Sequence, residues 1–287
     1  MNRYLKSNRR AWDEMARIHS QGTPGYPVAK VRKGRSGWGT LPPDDIGPVR
    51  GKSILHLQCH FGMDSLMWAA KGARVTGVDF SPVAVTAARD LSRRTGIKAR
   101  FIESDIASLD GILREKFDIV LTYCGVLCWL PDLTAWARTV ARRLKPGGFF
   151  YVADAHPMAQ MLEFDRPDGS PRFAYSYFPS GVERFESTGG TYSAPDAMTK
   201  SRVSYEWHHS LAEITGSLLA AGLEIEYLHE FPYIFYEMTY YTKKKLMKCD
   251  KHGRWRLKGF EKKLPLMFSV KAASRAGNRA GMTRRQT

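Results

Sequence analysis

The stretch SILHLQCHFGMDSLMWAAKGARVTGVD, residues 53–79, decides how the rest of the chain is read. Ile54, Leu55 and Leu57 form a short apolar run typical of a buried strand, and the run ends in a loop closed by Gly62. Leu66, Met67 and Ala70 then recur at helical spacing until Gly72 breaks the pattern, and a second apolar run ends on Asp79. The unit is strand, loop, helix, strand, acid. Such a loop turns backbone N–H groups and a helix N-terminus toward a ligand, and a carboxylate at the end of the next strand accepts paired hydroxyls, so an adenosine-bearing ligand fits. Nicotinamide and flavin enzymes place an acid in the same way, so the unit alone leaves the ligand open.

Downstream, strand and helix alternate. Strand 52–58 leads to helix 63–71, and strand 73–79 leads to helix 82–95, which opens with Ser81 as N-cap and Pro82 as first helical residue. Strand 98–103, strand 117–123, helix 132–143 and strand 148–154 follow, the last preceded by Leu144-Lys145-Pro146-Gly147-Gly148 as helix stop and turn. Helix 208–221, strand 224–230 and strand 265–272 complete the pattern. Short apolar strands separated by helices predict a parallel sheet covered on both faces.

Upstream, residues 1–50 divide into an amphipathic helix within 1–22, with Trp12, Met15, Ala16 and His19 at helical spacing, and an irregular lead-in rich in Pro and Gly. Residues 51–155 form the ligand-binding core. Residues 156–206 interrupt the rhythm with Gly, Pro and aromatics and read as a lid over the site, residues 207–273 complete the sheet, and 274–287 form a basic tail expected to be disordered.

The 287 residues suffice for one elaborated domain, and no apolar run approaches the roughly 20 residues a membrane span needs. No signal-peptide pattern stands at the N-terminus, so a cytoplasmic, soluble protein without membrane association is expected. Cys59, Cys124, Cys128 and Cys249 make neither a disulfide framework nor a zinc pattern, and no metal is expected. The net charge of +16 splits into +6 over residues 1–50, −3 over 51–241 and +13 over 242–287. That basic end suits either solvation or an anionic partner such as a nucleic acid.

Five landmarks in this order, the loop His56–Gly62, Asp79, Ser104-Asp105-Ile106, Phe117–Tyr123 and Leu144–Gly148, resemble the class I S-adenosylmethionine-dependent methyltransferases. The loop, the helix running from Trp12 to His19, and Glu206-Trp207-His208-His209 further resemble a group of bacterial small-molecule methyltransferases. The resemblance implies an α/β, Rossmann-like fold: a seven-stranded, mostly parallel sheet of order 3-2-1-4-5-7-6 with strand 7 antiparallel and helices on both faces. It implies S-adenosyl-L-methionine as cofactor and S-adenosyl-L-homocysteine as product. One departure stands out. The family's loop carries an acid and then Gly-x-Gly-x-Gly, whereas here His56, Gln58 and His60 occupy the acid and first two glycine positions. A non-glycine residue with positive φ at 58 or 60 costs ~1 kcal/mol or more.

By this resemblance Asp79 accepts the ribose hydroxyls, Phe80 packs on adenine, and Ser104, Asp105 and Ile106 hold the adenine edge. Gln58, Cys59, His60 and Gly62 belong to the methionyl end, and Tyr123 and Cys124 lie near the sulfonium. Trp12 and His19 share one helix face and would close over the site, with Arg10 or Arg17 available to the methionyl carboxylate. Asp79 and Asp105 also suit plain capping roles. A base for the acceptor's proton is sought among His156, Glu206, His208, His209 and Tyr123. Between 164 and 241 stand 16 Phe, Tyr and Trp, a lid core or a pocket for an aromatic or cationic amine acceptor. Oligomeric state is not legible. The alternatives are a nucleic-acid (RNA) methyltransferase using the basic end, and a cofactor-binding protein on the same fold without methyl transfer.

Overall fold

Val120 and Leu121, in the middle of the fourth apolar run, are fully enclosed, and the other strands are laid out around that run. The computed structural model describes residues 2–23, 25–33, 46–187, 189–239, 242 and 244–274. In chain order its elements are α1 (Arg3–His19), β1 (Ser53–Leu57), α2 (Met63–Ala70), β2 (Arg74–Asp79), α3 (Pro82–Thr95), β3 (Arg100–Glu103), β4 (Phe117–Tyr123), α4 (Leu133–Arg143) and β5 (Leu144–Ala155). There follow α5 (Pro157–Gln160), β6 (Leu162–Glu163), β7 (Arg172–Phe173), β8 (Val182–Glu186), β9 (Val203–Trp207), α6 (Leu211–Ala220), β10 (Leu223–Phe231), β11 (Met247–Cys249), β12 (Trp255–Leu257) and β13 (Met267–Ser274).

The main sheet runs β3-β2-β1-β4-β5-β13-β10. Its first five strands pair parallel, and β13 lies antiparallel to both β5 and β10, the order and direction that the family resemblance implies. Alternation along each strand sends residues to opposite faces. Leu55, Leu57 and Val120 pack with Trp136 of α4 and Leu218 of α6, while Ile54, Ile119 and Leu121 pack with Met67 and Trp68 of α2. Among the described residues no helix is long and apolar enough to cross a membrane.

The start of β5 differs from expectation. Leu144 already pairs with Phe117, and the ladder then slips three residues before Phe149 pairs with Ile119. Pro146-Gly147-Gly148 is therefore a bulge within the strand, not a turn before it. Gly147 has φ +74°, and a Cβ on Gly148 would stand 2.9 Å from the Asp118 carbonyl oxygen and 3.0 Å from that of Phe117. Close backbone approach reserves that position for glycine.

The segment expected as a lid folds into α5, the β6–β7 hairpin and the β8–β9 hairpin, the last reaching Trp207. α1 docks along β9. Asn8 donates from Nδ2 to the Tyr205 carbonyl (2.6 Å) and accepts at Oδ1 from the Tyr205 N–H (2.8 Å), so its amide stands in for a neighbouring strand. Ser7 Oγ donates to the Val203 carbonyl, and Glu14 accepts from the N–H groups of Lys200 and Ser201. The basic stretch after β10 makes the β11–β12 hairpin, where Arg254 and Arg256 lie over the Tyr233 ring at 4.8 and 5.3 Å. Part of that positive charge is thus spent on internal packing. The expected basic tail falls, from residue 275 on, outside the described residues, as do residues 34–45 of the lead-in.

Gly148→Ala is expected to lower stability by about 1–3 kcal/mol through contact with the two carbonyl oxygens, read as a lower urea midpoint at unchanged slope. Gly147→Asn, whose side chain tolerates the left-handed conformation, should cost clearly less. Equal midpoints for wild type and Gly148→Ala would contradict the close approach.

Candidate active site

At the end of β1 the chain turns through Gln58 (φ +53°) and His60 (φ +51°) to Gly62 (φ +74°) before α2 begins. The backbone keeps the shape that glycine favours although two of these residues are not glycine. Strain of about 1–2 kcal/mol per non-glycine residue is expected, and bonds within the loop offset it. Gln58 Nε2 donates to the Val126 carbonyl (2.9 Å), His60 N donates to Asp79 Oδ2 (2.8 Å), and His60 Nε2 meets His19 Nδ1 at 2.9 Å. Only Gly62 is irreplaceable by packing, since a Cβ there would lie 2.5 Å from the Phe101 ring.

A cavity of about 390 Å³ opens beyond this loop, at the carboxyl ends of β1 to β4. Its size falls in the range of small-molecule sites, roughly 300–1,000 Å³. Of the residues read from sequence, Trp12, Gln58, Cys59, His60, Asp79, Phe80, Ser104, Asp105, Ile106, Tyr123 and Cys124 all line it. His19 and Gly62 do not: His19 is enclosed behind His60 and Gly62 serves packing. Arg10 and Arg17 are absent from the lining too, so neither is placed for a carboxylate in this cavity. Sequence reasoning missed Tyr26, Asp64, Val126, Trp129, Leu130 and Tyr192 as wall residues. Tyr26 and Tyr192 are brought together from segments 166 residues apart by a 2.7 Å hydroxyl contact, which no local pattern signals.

Asp79 accepts from His60 N and from Ser81 N (2.9 Å), while Ser81 Oγ caps α3 through Ala84 N (3.0 Å). Burial pushes the Asp79 carboxyl up to about 6, against the pull of those N–H groups. Asp105 accepts from Ser108 N (2.8 Å) and Ser108 Oγ (3.1 Å), so it caps a turn while facing the cavity. Burial likewise pushes Asp64 up to about 7 and holds His56 and His19 down at about 3. His56 is a neutral ring, bonded to Ser65 Oγ (2.8 Å) and stacked 4.7 Å from Tyr123.

The catalytic candidates separate clearly. His156 is only 2% exposed, accepts the Met158 N–H at Nδ1 (3.0 Å) and meets Glu230 at Nε2 (2.8 Å), so it caps α5 outside the cavity and is withdrawn as a base. His209 uses both nitrogens, on the Leu130 carbonyl (2.8 Å) and Glu213 (3.1 Å), and positions the cavity wall at Leu130. His208 stacks on Tyr175 at 5.6 Å, away from the cavity lining. The Tyr123 hydroxyl accepts from Trp68 Nε1 (3.1 Å), and burial raises its pKa well above the ordinary value, so it does not act as a base at neutral pH. Glu206, at the end of β9, is pushed up to about 7 by burial and faces the Cys128 thiol, and like the three histidines it is absent from the cavity lining.

Residues 54–148 match the family model described as a methyltransferase domain. A ubiquinone biosynthesis O-methyltransferase from Pseudomonas putida (strain GB-1) is 30% identical over 121 residues, covering 42% of this chain and 52% of that protein. The corresponding protein of Pseudomonas entomophila (strain L48) is 30% identical over 134 residues, covering 42% of this chain and 57% of that protein. The chain spans about half the length of the curated relatives it matches. Among solved structures, an S-adenosylmethionine-dependent methyltransferase from Mesorhizobium loti matches with a TM-score of 0.55 and 20% identity over 88% of this chain and 99% of that one. The glycopeptide N-methyltransferase MtfA in complex with S-adenosylmethionine matches with a TM-score of 0.52 and 16% identity over 88% of this chain and 94% of that one. These two share the fold.

His19 joins α1, the loop after β1 and the segment between β8 and β9 through His60 Nε2 and Thr191 Oγ1 (2.9 Å each). Its folded-state pKa of about 3 lies below the ordinary 6.5, so the stability it contributes is complete above pH 6.5 and is lost as pH falls toward 3. The difference in unfolding free energy between wild type and His19→Gln should shrink by about 1.4 kcal/mol per pH unit in that window. A difference independent of pH, in urea titrations between pH 7 and 4, would refute the neutral His19.

Proposed function

We propose, from a chain whose residues 54–148 form a methyltransferase domain on the class I fold, that the protein is an S-adenosylmethionine-dependent methyltransferase acting on a small molecule. One observation carries the reading: Asp79, Ser104, Asp105 and Ile106 converge with the Gln58–His60 loop on a single ligand-sized cavity. Bound S-adenosylmethionine supplies an electrophilic methyl group on a sulfonium, leaving S-adenosylhomocysteine once the methyl is gone.

In this reading Asp79 accepts the ribose hydroxyls, Phe80 flanks the adenine, and Ser104, Asp105 and Ile106 hold its edge. Trp12, Tyr26, Trp129 and Tyr192 wall the cavity with aromatic surface and exclude water, which favours an in-line displacement. The O-methyltransferase relatives support a hydroxyl acceptor, and the aromatic wall supports an aromatic one.

Calorimetric titration with S-adenosylhomocysteine tests the cofactor. Asp79→Ala should weaken binding by about 30-fold or more, the effect of truncating a buried charged hydrogen-bond partner. Wild-type affinity should rise with pH through about 6, since the ionised Asp79 is the acceptor form. Absence of wild-type binding would sink the proposal.

A further inference from the structure

The cavity is open on one side and shut on another. Ser108 and Asp132 line it and are exposed, whereas Tyr26, Cys59 and Tyr123 line it and are buried. In the reading above the open side holds adenine, and the shut side, between the Gln58–His60 loop and Tyr123, faces the reacting methyl group. An acceptor therefore has to arrive where the wall is closed. Two facing turns close it. Thr23 and Tyr26 exchange backbone hydrogen bonds (3.3 and 2.9 Å), and so do Thr191 and Ala194 (2.9 and 3.1 Å). Side chains clasp the two turns together: the Tyr26 and Tyr192 hydroxyls lie 2.7 Å apart, Thr23 Oγ1 meets Ser193 Oγ, and His19 Nε2 meets Thr191 Oγ1 at 2.9 Å. The His19 ring packs between the tyrosines, 4.8 Å from Tyr26 and 5.0 Å from Tyr192.

Apart from that clasp the second turn is lightly held. Among the described residues, the backbone-to-backbone hydrogen bonds of residues 189–199 stay within the segment. Its ties to the rest of the backbone lie at its two ends, where Ser187 N donates to the Arg202 carbonyl (2.8 Å) and Lys200 N donates to Glu14. Gly189 (φ +124°) and Gly190 (φ +73°) stand just before the turn, at positions where glycine changes the chain direction without strain. A segment bonded within itself, entered through two glycines and clasped by side chains can swing out without breaking any strand pairing. We propose that the Thr191–Ala194 turn is the acceptor gate: it parts from the Thr23–Tyr26 turn to admit the acceptor and closes over it for methyl transfer. This rests on the function proposed above and names the segment that controls access within it. Closure restores the Tyr26 and Tyr192 wall and shuts water out of the reacting side.

The test locks the gate. Thr23 and Ser193 lie outside the cavity lining and their hydroxyls touch, so a cysteine pair at these positions falls within disulfide reach. The double variant Thr23→Cys/Ser193→Cys, oxidised and reduced, is compared with wild type taken through the same oxidation. Two readouts are used: calorimetric titration with S-adenosylhomocysteine, and transfer of radiolabelled methyl from S-adenosylmethionine to the small-molecule fraction of a cell extract. The oxidised variant should bind S-adenosylhomocysteine within about threefold of the reduced one, because the cofactor side stays open. It should transfer label about 100-fold more slowly or less, since the lock removes the open population, and dithiothreitol should restore the rate. Equal transfer by the oxidised and reduced variant, or failure of the pair to cross-link, overturns the gate and leaves the function reading standing. Loss of S-adenosylhomocysteine binding in the oxidised variant alone puts the turn on the cofactor's route and overturns its assignment to the acceptor. Failure of wild type to bind S-adenosylhomocysteine or to transfer label overturns the function reading, and the gate with it.

Discussion

The Asp79 carboxylate accepts backbone N–H groups from two directions, His60 at 2.8 Å and Ser81 at 2.9 Å, and so joins the loop after β1 to the helix after β2. Ser81 extends the connection: its hydroxyl caps α3 and donates to Asp13 on α1 at 2.5 Å. One buried charge therefore locates the loop, a helix N-terminus and the helix that covers the site. Two N–H groups do not fully repay its desolvation, which is why its pKa stands near 6 and why it retains capacity to accept further donors.

That capacity explains why the loop tolerates left-handed residues without glycine. Gln58 and His60 are held there by bonds to β5-side and α1-side partners, the Val126 carbonyl and His19, and Val126 is itself fixed from below. Asp154, at the end of β5, accepts from Gly125 (2.5 Å), Val126 (3.0 Å) and Leu127 (2.9 Å). Cys124 just before them is the third non-glycine residue with positive φ, at +72°. All three strained residues line the one cavity, where a surrounding network over-determines the backbone.

The cover over the cavity is polar where it docks and aromatic where it faces inward. Asn8, Ser7 and Glu14 satisfy the backbone of β9 and of residues 200–201, which an apolar helix could not do. On the inner side Trp12 stands 5.3 Å from Trp129 and 5.2 Å from His60, both edge-on. Such a joint fixes α1 in register with residues 200–207, because backbone hydrogen bonds are directional, whereas the aromatic contacts tolerate small shifts.

The sequence by itself determined the sheet. Apolar runs such as Phe117–Tyr123, separated by helices with a legible cap at Ser81 and stops at glycine, specify a parallel sheet covered on both faces, and the family resemblance supplies the strand order and the one antiparallel strand. It also placed Asp79 and Asp105 on one edge of that sheet, since both follow strand ends and the ends of parallel strands share one edge. What only the tertiary structure decided are the partners. His156 looked like a strand-end base and proved to be a helix cap, while Asp64 stood in the opening stretch unremarked until its lack of a partner was visible. Tyr26 and Tyr192 entered the wall from segments far apart in the chain with no periodic pattern. Periodicity encodes which face of an element is buried, but hydrogen-bond satisfaction depends on which groups long-range folding brings within about 3 Å, and no local pattern carries that distance.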